Sequence, residues 1–122
     1  MNRGFVGIGA VFGFLAVAAG AFGAHALRAR LAADRLELFE LAVRYQMYHA
    51  LALIAVGLVS DKVQGALINA SGWAFVIGTL IFCGTVYGLA FGMPRWFGAI
   101  TPLGGVSLLI GWGLLTLAVL RR

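Results

Sequence analysis

The side chains through which this 122-residue chain could do chemistry are few: two histidines, one cysteine and a handful of tyrosine, glutamine and threonine residues. His25 and His49 titrate near neutral pH, so each can carry a proton, hydrogen-bond through two nitrogens or ligate a metal. Tyr45, Gln46 and Tyr48 lie within about one helical turn of His49, while Thr101 and Pro102 stand much later in the chain. Such a set supports hydrogen bonding between helices, a site for a small ligand, lipid or ion, or a histidine pair on a metal or haem. Two histidines fall short of the four ligands of a structural zinc site, and neither a metal nor a cofactor is expected. Cys83 is alone, which excludes an internal disulfide and a CxxC redox pair and leaves the role of a small buried hydrophobe.

The elements that must position these residues are membrane spans. Hydrophobic residues make up 62% of the chain and charged ones 11%, against ~25% charged in a soluble domain. A soluble fold of this size has too much surface to cover with so few charges. The net charge of +5 does not point to nucleic acid. Arg3, Arg28, Arg30, Arg35, Arg44, Lys62, Arg95, Arg121 and Arg122 punctuate the ends of apolar runs, as lysine and arginine do where they meet headgroups. One domain, residues 1–122, is expected, with spans at about 4–27, 35–60, 65–92 and 97–120. Ala24-His25-Ala26 resembles a signal-peptidase site, but the run before it exceeds the 7 to 15 apolar residues of a signal peptide, so a retained first helix is expected.

Asp34 followed by Glu37 fits a capping box. Leu36, Phe39, Val43 and Met47 then recur every three or four residues, and Glu40 and Arg44 form an i,i+4 pair. The pattern predicts one helix over 35–59, ~37 Å long, whose first two turns are an amphipathic extension at headgroup level. Asp61-Lys62-Val63-Gln64 and Met93-Pro94-Arg95-Trp96 make short connections that force antiparallel neighbours. The expected fold is all-α: an up-down-up-down four-helix membrane bundle with both termini on one side. The three arginines after the first span point to a cytoplasmic first connection. Counted from Arg28 and Arg44, His25 lies ~4.5 Å and His49 ~7.5 Å inside the same boundary. His25, Tyr45, Gln46, Tyr48, His49, Thr101 and Pro102 are therefore expected to gather at one end of the bundle.

Small residues should hold the helices together, because close backbone approach drives association in lipid. Gly9 and Gly13, with Gly20 in register, mark the first span; Gly84, Gly88 and Gly92 mark the third; Gly104, Ser107 and Gly111 mark the fourth. They are expected to pack within the chain or to form a homo-oligomer interface. Trp96 reads as an interfacial anchor, and Trp112, in mid-span, needs a partner for its N–H.

Three segments carry a family likeness: Gly20-Ala21-Phe22-Gly23-Ala24-His25-Ala26-Leu27, Tyr45-Gln46-Met47-Tyr48-His49-Ala50-Leu51 and Gly98-Ala99-Ile100-Thr101-Pro102-Leu103-Gly104-Gly105. In order and spacing they resemble the small four-span membrane family called domain of unknown function 423, or UPF0382, over essentially the whole chain. The resemblance implies a multi-pass protein of the bacterial inner membrane with no assigned activity. It also implies that His25, Gln46, Tyr48, His49, Thr101 and Pro102 are hallmark positions. Partners beyond the bilayer are a membrane protein or a second copy. The expected role is a non-enzymatic structural or accessory one. The alternative is a small oligomeric transporter or channel using a His25/His49 face, although Asp34, Glu37, Glu40 and Asp61 all fall in connections. An embedded carboxylate for proton exchange is therefore lacking.

Overall fold

The computed structural model describes residues 1–63 and 65–121. Gln64 of the second connection and the terminal Arg122, both used above, lie outside the described residues. Among the described residues, four stretches are long and apolar enough to cross a membrane: Arg3–Leu27, Ala33–Val59, Ala66–Ala90 and Trp96–Leu120. The first comprises α1 (Arg3–Ala18), a π-helical turn (Ala19–Gly23) and the short α2 (Ala24–Leu27), and the others are α3, α4 and α5. Every backbone polar group must be paired inside a bilayer, which is why the apolar runs fold as helices.

Each span packs on the next in sequence, α1 against α3, α3 against α4 and α4 against α5. The chain ends fix the up-down-up-down order. The Asn2 amide donates to the Gly57 carbonyl (2.9 Å) and to Ser60 Oγ (2.7 Å), and the N-terminal ammonium pairs with Asp61. Arg121 closes the other end of the chain beside Val63, Ala66 and Leu67. Both described ends thus lie beside the connection between α3 and α4. The core runs along the middle helices, with Leu53, Val56, Ile68 and Phe75 almost fully enclosed, and Phe5 reaching in from α1.

The extension before the second span is present, but its cap is not the expected one. Helix α3 starts at Ala33 after an Ala32 N-cap that has no side-chain capping bond, and Asp34 lies inside the first turn. There its charge meets the positive end of the helix dipole, which favours an acidic residue without any capping bond.

The expected packing glycines divide. Gly9 and Gly13 face Ala50 of α3, and Gly20 in the π turn faces Val43. Gly88 lies under the Phe97 ring, Gly104 against the Phe82 backbone and Gly111 against the Phe75 ring. Gly92 is a turn residue beyond α4, with φ +88°, a conformation that glycine reaches without steric cost. A Cβ at Gly84 would meet no neighbouring element within 4 Å. Gly57, Gly72 and Gly78 are close-packed instead, against Val6, Phe5 and Leu108, and none of them sits in a GxxxG pattern that would have revealed it.

Candidate functional site

Helix geometry sets the depth of the polar residues. The middle residue of Ala33–Val59 is (33 + 59)/2 = 46, that of Ala66–Ala90 is 78, and that of Trp96–Leu120 is 108. Gly78 faces Leu108 directly, so α4 and α5 are in register. Gln46 and His49 therefore sit at the centre of the bundle. Each is more than nine-tenths buried.

Gln46 ties three helices together. Its Nε2 donates to the Phe12 carbonyl of α1 (2.8 Å), and its Oε1 accepts from the Tyr87 hydroxyl of α4 (2.8 Å). His49 joins α3 to α5. Its Nδ1 lies 2.7 Å from the Tyr45 carbonyl, and its Nε2 lies 3.1 Å from Trp112 Nε1. A carbonyl only accepts and an indole N–H only donates, so Nδ1 carries the proton and Nε2 is the acceptor. Both nitrogens of a neutral imidazole are thereby used. This pairing supplies the partner that Trp112 required.

Beside this centre lies a lateral groove of about 610 Å³, lined by Tyr45, Tyr48, His49, Phe82, Pro102, Gly105, Val106, Leu108, Leu109 and Trp112. Small-molecule sites typically occupy ~300–1,000 Å³. Tyr45 stacks on Phe82 with ring centres 4.7 Å apart, and Trp112 meets Phe75 edge-on at 5.0 Å. Pro102 lies inside α5 and lines the groove. Thr101 turns to α4, sharing a 2.7 Å hydrogen bond with Thr85 and donating to the Phe97 carbonyl.

Tyr45, Gln46, Tyr48, His49 and Pro102 are thus drawn towards one region, and Thr101, beside Pro102, is bonded to Thr85 of α4 instead. His25 is not part of the set. It is exposed on α2, where the neighbouring Gly23 packs against Phe39. Phe39 is ten residues before His49, ~15 Å along the helix. Counting depth from Arg28 and Arg44 took the two as level, but Gly20 packs on Val43 and Gly23 on Phe39, so Arg28 lies well beyond Arg44 along the bundle.

Sequence reasoning also missed Tyr87, Phe12 and Thr85 as partners of the polar residues. Their hydrogen-bond capacity was visible, but nothing in the spacing revealed which way each helix is rotated. No group of three or more His, Cys, Asp or Glu side chains that could hold a metal is present among the described residues.

The family model described as Protein of unknown function (DUF423) matches residues 19–105. A UPF0382 membrane protein of Staphylococcus epidermidis is 42% identical over 117 residues, covering 96% of this chain and 95% of that protein. One from Staphylococcus saprophyticus is 41% identical over 117 residues, at 96% and 97% coverage. The UPF0382 membrane protein YwdK of Bacillus subtilis is 38% identical over 118 residues, at 96% and 96%. No solved structure matches.

Proposed function

The chain belongs to the DUF423 family of UPF0382 membrane proteins, and from that premise we propose that it is a non-enzymatic accessory protein of the bacterial inner membrane, acting by lateral association with a membrane protein or a second copy. The observation that carries this reading is the distribution of its surface glycines. The apolar windows of the first and last spans are 17% and 22% buried, against 44% for each of the two middle spans. Gly7, Gly84 and Gly113 lie exposed on α1, α4 and α5, and a Cβ at any of them would meet no neighbouring element within 4 Å. A glycine facing lipid gains nothing from the lipid, whereas one facing another helix permits close backbone contact.

The buried polar groups that have partners fit a structural role; Thr79 Oγ1 is buried and has none among the described residues. Gln46 and His49 are committed at both ends, and Ser71, Cys83 and Ser107 donate to carbonyls of neighbouring helices. The transporter alternative paired His25 with His49, and the two are separated by ~15 Å or more along the bundle.

The test uses Gly7→Leu and Gly113→Leu, each measured for assembly size in mild detergent. Leucine at an empty outer position leaves the fold intact, so the expected result is a loss of assembly with unchanged helicity. Assemblies of wild-type size in both variants would remove the support for this reading.

A further inference from the structure

The groove beside His49 lies on a different surface feature from the exposed glycines and has its own chemistry. We propose that it binds a neutral, membrane-soluble aromatic ring bearing carbonyl oxygens, the quinone class of ligand.

The walls specify a ring. Tyr45, Tyr48, Phe82 and Trp112 present aromatic surfaces, and such rings gain from offset or edge-on stacking with a flat partner. The polar atoms specify an acceptor. Nε1 of Trp112 and both nitrogens of His49 are spent on bonds within the protein. The hydroxyls of Tyr45 and Tyr48, by contrast, donate to no group among the described residues, although both side chains line the groove. At the centre of a bilayer no water is present to receive those protons, and an unpaired hydroxyl there is costly.

A neutral carbonyl oxygen satisfies a phenolic donor. A phosphate or carboxylate does not fit, because the lining holds no lysine or arginine to balance its charge. A saturated acyl chain would fill the volume but leave both donors unpaired. Entry is from the side. Tyr48 is half exposed, and Val106 and Leu109 of α5 face outward along the same groove. From Pro102 to Trp112 the groove follows ten residues of α5, ~15 Å, about half the thickness of the hydrocarbon core.

The probe is 2-methyl-1,4-naphthoquinone titrated into the full chain in mild detergent, read by quenching of tryptophan fluorescence. Trp73→Phe and Trp96→Phe are introduced together so that Trp112 reports alone. Gly105→Leu fills the groove with little strain, since a Cβ there meets only the Phe82 ring at 3.9 Å. Saturable quenching is expected that is lost in Gly105→Leu and weakened about three- to tenfold in the Tyr45→Phe/Tyr48→Phe double variant, the loss of one or two modest hydrogen bonds. Two results overturn the proposal: quenching that rises linearly and equally with and without Gly105→Leu, or saturable quenching that ignores the tyrosine changes and is competed by dodecane. The first shows simple partitioning into the micelle, and the second a site for an alkyl chain.

Discussion

Adding one methyl group at Gly104 should damage this protein, while the same change at Gly84 should not. Both glycines looked alike in the sequence as small residues in a membrane span. In the structure a Cβ at Gly104 would lie 2.5 Å from the Phe82 amide nitrogen, 2.9 Å from Phe82 Cα and 3.0 Å from Ile81 Cγ2. The first two are backbone atoms of α4 and cannot rotate away. Relief requires α4 and α5 to part locally by roughly 1 Å to restore ordinary carbon contacts. That movement pulls on the Ser71–Gly111, Ser107–Ala74 and Thr85–Thr101 hydrogen bonds, which are 2.7–2.8 Å long. Overpacking of this kind costs ~1–3 kcal/mol. At Gly84 the added methyl meets open space, and alanine gains up to ~1 kcal/mol in helix propensity. Alanine gains the same propensity at Gly104 in α5, so the two variants should differ by the overpacking cost of ~1–3 kcal/mol, more than tenfold in the folded-to-unfolded ratio over most of that range. Unfolding in mixed micelles with increasing dodecyl sulfate, followed by circular dichroism, measures the gap. Equal midpoints for Gly104→Ala and Gly84→Ala would refute the close approach of α4 and α5.

The polar centre makes three further expectations. His49→Phe and Trp112→Phe, combined in a double-mutant cycle in the same unfolding assay, should show a coupling of ~0.5–1.7 kcal/mol, the scale of hydrogen bonds between membrane helices. A coupling of zero would mean that the Nε1–Nε2 contact does not form. Gln46→Leu should destabilise by about 1 kcal/mol and should abolish the further effect of Tyr87→Phe, since the tyrosine then has no acceptor to lose; additive losses would argue against the bridge. His25→Gln should leave the unfolding midpoint within ~0.5 kcal/mol of wild type, as for an exposed position, and a large loss would return His25 to the packed centre.

Much of the fold was legible because lipid imposes simple rules. Long apolar runs separated by arginines gave the four spans, and the short connections gave their alternation. The early start of the second span was readable from Leu36, Phe39 and Val43, which repeat with helical spacing. Its exact cap was not, since Asp34 can stabilise the first turn from within as well as from an N-cap.

The site was less legible for reasons of depth and rotation. Arg28 and Arg44 looked like one boundary, yet Val43 packs beside Gly20, eight residues before Arg28, so the two arginines lie at different levels. The error moved His49 from the centre of the bundle to its edge and made it level with His25. Rotation about α5 is set by Gly104 and Gly111 nesting on Phe82 and Phe75, and only that nesting turns Trp112 towards His49. No spacing along one helix encodes a rotation fixed by another. The π turn at Ala19–Gly23 was equally hidden, although the glycines at its two ends lie against Val43 and Phe39.

The proposed role by lateral association is tested most directly by the native mass of the wild-type chain, released from membranes in mild detergent. A species larger than the 12.9 kDa chain is expected, either a whole-number multiple of it or a stoichiometric complex with one other membrane protein. A homogeneous, folded species of 12.9 kDa with no protein partner would contradict it.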